Sequence, residues 1–403
     1  MNLNDVTIRP MQAAEMEQVA AMRAAGFGGN PEQTLARMQS NPRYDASHVL
    51  VAEHAGALVG TGTVFPAQMW LSGVPMDVGA VAGVTVPADF RNNGIATKLM
   101  QHAIGQMHAN GRALSALFPF SHKYYRALGY GTIGDLHAYS FTPDNVAVSG
   151  SVENVRPFEP GDLAMLRAVY KGQMTWHNGW FTRSNDWWAK IIERWPNIVV
   201  FDNDGFIDGY LIYQRDGQNA LEIKEFFSAE PEAYQGLLAW LAAQNVARID
   251  YLAPADTPLR HSLSQPYAAG GQNRGWIFND LCHVTPGPVG RIINLPKAFT
   301  TRFYTRGVSG ELTFKVSDPL IPANEEPIVF RLVDGRAETR PAQGKLSSAI
   351  ETDITTLTQI LCGYMKAVDA RKLGRFAADE DSCSWLDKII VDTPLFIQAG
   401  DWF

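Results

Sequence analysis

At 403 residues, with 46% hydrophobic and 19% charged positions, the chain is long enough for two or three domains and too apolar for bulk disorder. A net charge of −7 with no basic block excludes a nucleic-acid footprint. Cys282, Cys362 and Cys383, odd in number and far apart, exclude a disulfide framework or a cysteine zinc site, and the nine histidines lack ligand spacing, so no metal is expected. The opening MNLNDVTIRPMQ has no basic-then-apolar leader and no stretch has the length of a membrane span, so a cytoplasmic protein is expected.

In chain order, residues 6–10 predict a strand ending in Arg9-Pro10, followed by a helix over 13–25. Residues 51–60 read as a hairpin turning at a glycine. An extended run over 78–86 precedes a helix over 94–108, where Ile95, Leu99, Ala103 and Met107 form one apolar stripe. A strand over 114–118 follows. The pattern then restarts: a strand ending in Arg156-Pro157, a helix over 161–170 and a hairpin over 200–209. A strand over 221–227 and a helix over 231–244 complete the second unit. The matching features lie at nearly one offset, which predicts a duplicated domain whose second helix lacks a glycine-rich entry. Beyond the linker Pro286-Gly287-Pro288, strands over 311–316 and 328–333 precede helices over 354–365 and 385–390, an α+β pattern. Predicted domains are therefore 1–149, 150–287 and 288–403.

Arg91-Asn92-Asn93-Gly94-Ile95-Ala96 joins an extended run to an amphipathic helix. The unpaired amides and partial positive charge of such a helix start suit an anion; Gly94 permits close backbone approach and Ala96 keeps the surface low. Arg91 adds a charge-assisted contact. A pyrophosphate site is the expectation. Dinucleotide binding would need Gly-x-Gly-x-x-Gly and a later acidic residue, which are missing.

Val84-x-Val86 followed by Arg91-x-x-Gly94-x-Ala96 resembles the acetyl-CoA motif of the GNAT superfamily of N-acetyltransferases. The resemblance implies that Val84, Thr85 and Val86 serve the pantetheine arm of acetyl-CoA. It assigns Asn92, Asn93, Gly94, Ile95, Ala96 and Thr97, with Arg91, to the phosphates, and places Phe120 and Ser121 along the arm. Tyr125-Arg126-Ala127-Leu128-Gly129-Tyr130 resembles the superfamily's second signature, which makes Tyr125 the general acid for the departing thiolate. Length, duplication and C-terminal pattern together resemble the Eis (enhanced intracellular survival) branch. That implies tandem GNAT folds, with mostly antiparallel central sheets flanked by helices, and a sterol-carrier-protein-like α+β domain. It further implies a homohexamer, and the carboxylate of the last residue, Phe403, as general base in a ternary complex. The aromatic end Trp402-Phe403 fits a tail that is buried rather than frayed. The acceptor is expected to be a primary or lysine-type amine. The segment after Phe27, without an acidic residue, and Trp402 directly before the last aromatic depart from the aminoglycoside-modifying relatives. Two rival functions stand beside this one: a lipid carrier acting through the C-terminal domain, and an acetyl-CoA sensor without catalysis.

Overall fold

The computed structural model describes every residue except Met1, Val148, Gln218, 272–278, 345–348, Val391 and Asp392. The chain opens with β1 (Thr7–Pro10), helices α1 (Met16–Phe27) and α2 (Pro31–Ser40), and strands β2 (Val49–His54), β3 (Ala57–Leu71) and β4 (Val74–Thr85). Helix α3 (Ile95–Ala109), β5 (Leu114–Leu117), helix α4 (His122–Arg126), β6 (Gly131–Thr132) and β7 (Asp135–Phe141) follow. The second unit comprises β8 (Val155–Pro157), α5 (Leu163–Met174), α6 (Asn185–Arg194), β9 (Asn197–Asn203), β10 (Phe206–Arg215) and β11 (Ala220–Ser228). It continues through α7 (Pro231–Ala242), β12 (Arg248–Ala253), β13 (His283–Pro286) and β14 (Val289–Ile292). The C-terminal unit contains α8 (Leu295–Thr300), β15 (Gly310–Ser317), β16 (Ile328–Val333), β17 (Arg336–Pro341), β18 (Ile350–Asp353), α9 (Ile354–Leu361), α10 (Ala367–Lys372), β19 (Phe376–Ala377) and α11 (Glu380–Ile389).

The strands form two seven-stranded sheets, β1-β2-β3-β4-β5-β14-β6 and β8-β9-β10-β11-β12-β7-β13, and a five-stranded C-terminal sheet. The two large sheets share one pattern: four antiparallel strands, one parallel neighbour (β4 with β5, β11 with β12), then two antiparallel strands. The duplication extends to side chains. Arg9 holds Glu15 and Glu53 at 2.6 and 2.7 Å; Arg156 holds Asp162 and Asp202 at 2.7 and 2.8 Å. Each arginine also donates to the carbonyl of the following proline at 3.2 Å. Both hairpin turns, Ala55-Gly56 and Asp204-Gly205, take positive φ at both central residues, the twist that matches flanking strands.

Sheet membership differs from a division at 149/150 and 287/288. Strand β7 lies in the second sheet, between β12 and β13, while β14 lies in the first, between β5 and β6. The units have exchanged one strand each. All four residues of β14 are buried, as a central strand requires. Helix α9 of the C-terminal unit packs over it, and the Thr358 hydroxyl accepts a hydrogen bond from the Ile292 amide at 3.0 Å. Arg291 of β14 is fully buried and pairs with Asp318, so the third unit is bolted to the first through the exchanged strand.

Candidate active site

The parallel pairing of β4 with β5 runs only from Val78/Leu114 to Ala80/Ala116, after which the strands diverge. A bulge helps to drive them apart. Thr61 faces Thr85 and Thr63 faces Ala82, so Gly83 and Val84 together oppose Gly62, and Gly83 sits at φ +60°. Beyond Ala80 the β5-facing edge of β4 is open main chain, available to an extended ligand. Val81, Gly83, Val84, Phe118, Phe120, Tyr125 and Phe403 line the resulting groove. Thr85 is buried and Val86 is half-buried against the core; its carbonyl accepts from Arg91 Nε at 3.2 Å.

The loop leaves β4 through a short turn (Ala88–Phe90) and enters α3 at Gly94, whose φ of +80° disfavours any residue with a side chain. Asn92 is also left-handed, at φ +63°, and the Asn93 side chain ties the loop by donating to the Phe90 and Arg91 carbonyls, both at 3.2 Å. The first α3 amide to find a main-chain acceptor is that of Lys98, on the Gly94 carbonyl at 3.0 Å; helix geometry leaves the amides of Ile95, Ala96 and Thr97 unsatisfied. Ile95 points inward and is buried with Leu99 and Ala103, while Asn92, Asn93 and Gly94 are exposed. The residues fit a diphosphate: free amides, a helix dipole, an exposed Arg91 guanidinium and no acidic side chain in the first turn.

Ser121 caps α4, its Oγ accepting from the Tyr124 amide at 3.3 Å. That short helix carries Tyr125 into the groove, where the ring packs edge-on against Phe120, Tyr124 and Tyr130. Burial, reinforced by Tyr124 and Tyr130, pushes the Tyr125 phenol well above its usual range. Tyr124 faces Thr97 of the loop, and Phe120 is largely exposed at the groove mouth.

The tail reaches the same groove by a different route from the one expected. Trp402 is 39% exposed and Phe403 half-buried against Phe118 and Phe181; the charged residue buried just before them is Asp401. Asp401 accepts from Arg183 at 2.9 Å and from the Tyr170 hydroxyl at 3.0 Å, and Arg183 also grips Glu225 of β11 at 2.5 and 3.1 Å. Trp187 Nε1 donates to the Gly400 carbonyl at 3.0 Å. Burial alone would weaken the Arg183 charge, but Asp401 and Glu225 hold its pKa well above normal. Sequence reasoning missed this anchor, because its members are 42 and 218 residues apart.

Family models match the chain as an acetyltransferase (GNAT) domain over residues 7–133, a second such domain over 179–292 and a sterol carrier protein domain over 295–397. The chain belongs to the GNAT acetyltransferase superfamily. It is an acyltransferase built from two GNAT domains and a sterol-carrier-like domain. An uncharacterized N-acetyltransferase of Streptomyces griseus is 24% identical over 79% of this chain and 80% of its own length. A GCN5-related N-acetyltransferase from Anabaena variabilis shares the fold at a TM-score of 0.87, with 16% identity over 99% of this chain and all of its own. Eis1 from Mycobacterium abscessus aligns over 98% of this chain and all of its own at a TM-score of 0.79 and 19% identity.

Proposed function

We propose that the chain transfers an acetyl group from acetyl-CoA to a primary amine by direct attack within a ternary complex. The observation that carries this reading is that Tyr125, the open edge of β4 and the last residue of the chain, Phe403, line one groove beside a helix start suited to a diphosphate. The bound thioester supplies an activated carbonyl and a thiolate leaving group. Residues 92–97 hold its phosphates, while Val84, Thr85 and Val86 offer main chain to the arm.

A free amine near pKa ~10 is mostly protonated at neutral pH. The Phe403 carboxylate, placed beside apolar rings, takes a proton from the ammonium and so frees the lone pair that attacks. The second proton, acidified once the C–N bond forms, passes to Tyr125 as that phenol gives its own to the sulfur. An amide of the bulge, at Gly83 or Val84, supports the charge developing on the carbonyl oxygen. Tyr125 then donates to the departing sulfur. With its pKa raised it is a weaker acid than a free phenol, so its contribution is a hydrogen bond to the thiolate that ends in proton transfer as the C–S bond breaks. A metal has no part in this scheme.

Tyr125→Phe tests the assignment: turnover should fall by roughly 10²–10⁴-fold with cofactor affinity unchanged. Deleting Phe403 alone should lower turnover on amines without loosening CoA. If both variants released CoA thiol at the parent rate, this mechanism would be wrong. The lipid-carrier alternative would require the C-terminal interior to open, and there Phe299, Phe314 and Phe330 pack on one another at centroid distances of 4.8 to 6.4 Å.

A further inference from the structure

The second GNAT unit has kept the splay of its sheet while losing the anion-binding helix start. Strands β11 and β12 pair in parallel only from Ala220/Arg248 to Ile223/Tyr251, and β11 bulges at Lys224, since Ile212 faces Glu225 while Tyr213 faces Ile223. This is the arrangement that opens the groove in the first sheet. Helix α7 differs from α3 in what it presents there. It begins Glu230-Pro231-Glu232, with proline removing an amide and two carboxylates opposing any phosphate. The cleft cannot hold a diphosphate, yet it has not been filled in.

Its walls are aromatic: Trp180, Phe226, Phe227, Tyr234 and Tyr251, with Asp256 at the rim. Trp180 and Phe227 meet edge-to-face at 4.7 Å, and Phe226 stacks on Tyr234 at 5.2 Å, so the rings are fixed in place. No lysine or arginine is among the lining residues. His177, stacked on Trp180 at 4.5 Å, is held below its usual pKa by burial and adds no charge at neutral pH. Asp256 makes no ion pair among the described residues and supplies the negative end. Trp180 is covered on its faces by His177 and Tyr170, so the ring surface left to a ligand is that of the half-buried Phe226 and Tyr234. With one carboxylate and no lysine or arginine in the lining, these attract an organic ammonium through the ring quadrupoles and the carboxylate together.

We propose that this cleft in the second unit is a binding site for a small organic ammonium ion, separate from the acetyl-transfer groove. Gln398 of the tail completes its wall, five residues before Phe403, so the site abuts the segment that reaches the active groove.

The test is isothermal titration of the full chain with choline, which has no primary amine to acetylate, and with its neutral carbon isostere 3,3-dimethylbutan-1-ol. Choline should bind, and the isostere should bind roughly tenfold or more weakly. Asp256→Asn should weaken choline by about tenfold, and Ser228→Lys, which puts a cation on the lining, should abolish it. The parent-protein comparison does not depend on any variant folding. Absence of choline binding, equal binding of both probes, or undiminished choline binding by both folded variants would each overturn the proposal.

Discussion

Asp401→Asn is the most informative single change, because it separates the placement of the tail from the chemistry at its end. The carboxylate is fully buried and takes hydrogen bonds from Arg183, Tyr170 and, at 3.3 Å, Trp187. Its amide replacement keeps the shape but turns an N–H₂ toward Arg183 or Tyr170 and leaves the guanidinium with Glu225 alone. Breaking one partner of a buried ion pair costs about 3–5 kcal/mol. Taking about 3 kcal/mol, and about 2–4 °C per kcal/mol for a unit of this size, the melting temperature should fall by roughly 6–12 °C. The same loss falls on docking of the tail, so turnover should drop as far as it does when Phe403 is deleted. Deletion of Phe403, by contrast, should leave the melting temperature almost unchanged. Differential scanning calorimetry together with a CoA-thiol release assay reads both quantities. An Asp401→Asn protein that melts within 2 °C of the parent and turns over normally would show that the buried network does not place the tail.

Two further perturbations probe the loop and the duplication. Gly94→Ala forces a side chain into a left-handed conformation at about 1–2 kcal/mol, its Cβ meeting only the flexible Leu3 side chain at 3.2 Å. CoA affinity by calorimetry should weaken about fivefold or more, and unaltered affinity would remove the loop from phosphate binding. Arg156→Met tests the second ion triad. Arg156 holds the carboxyls of Asp162 and Asp202 below their usual pKa, so its stabilisation is present above about pH 4 and is lost as pH falls through the depressed values. With Arg156 and Asp202 partly exposed, the difference from the parent should be about 1 kcal/mol at pH 7 and near zero by about pH 2 in urea titrations. A difference constant across that range would contradict the assignment.

The elements legible in the sequence are those with local rules. The stripe on α3, the glycine turns of the hairpins and the alternation of β16 each settle their element within a few residues. The turn into α3 was equally readable, since its left-handed Gly94 and open helix start lie within six consecutive positions. What escaped depends on partners distant in sequence. The full length of β3 was hidden by Pro66, which normally argues against a central strand. It is tolerated because β2 pairs with β3 only as far as Thr63, so beyond that point Pro66 lies on an edge. Strand β14, at four residues, is too short to show a period, and only the sheet reveals its place. The tail anchor was likewise hidden: Asp401 reads as one more surface acid until Arg183 is beside it.

The exchange of β7 for β14 has a consequence for how the molecule is made. The first sheet lacks an interior strand until Ile292 has emerged from the ribosome, and the second sheet depends on a strand synthesised before its own unit begins. Neither unit can mature alone. Emerging chains must hold an open sheet edge through most of translation, so early termination yields an adhesive fragment rather than a small working enzyme.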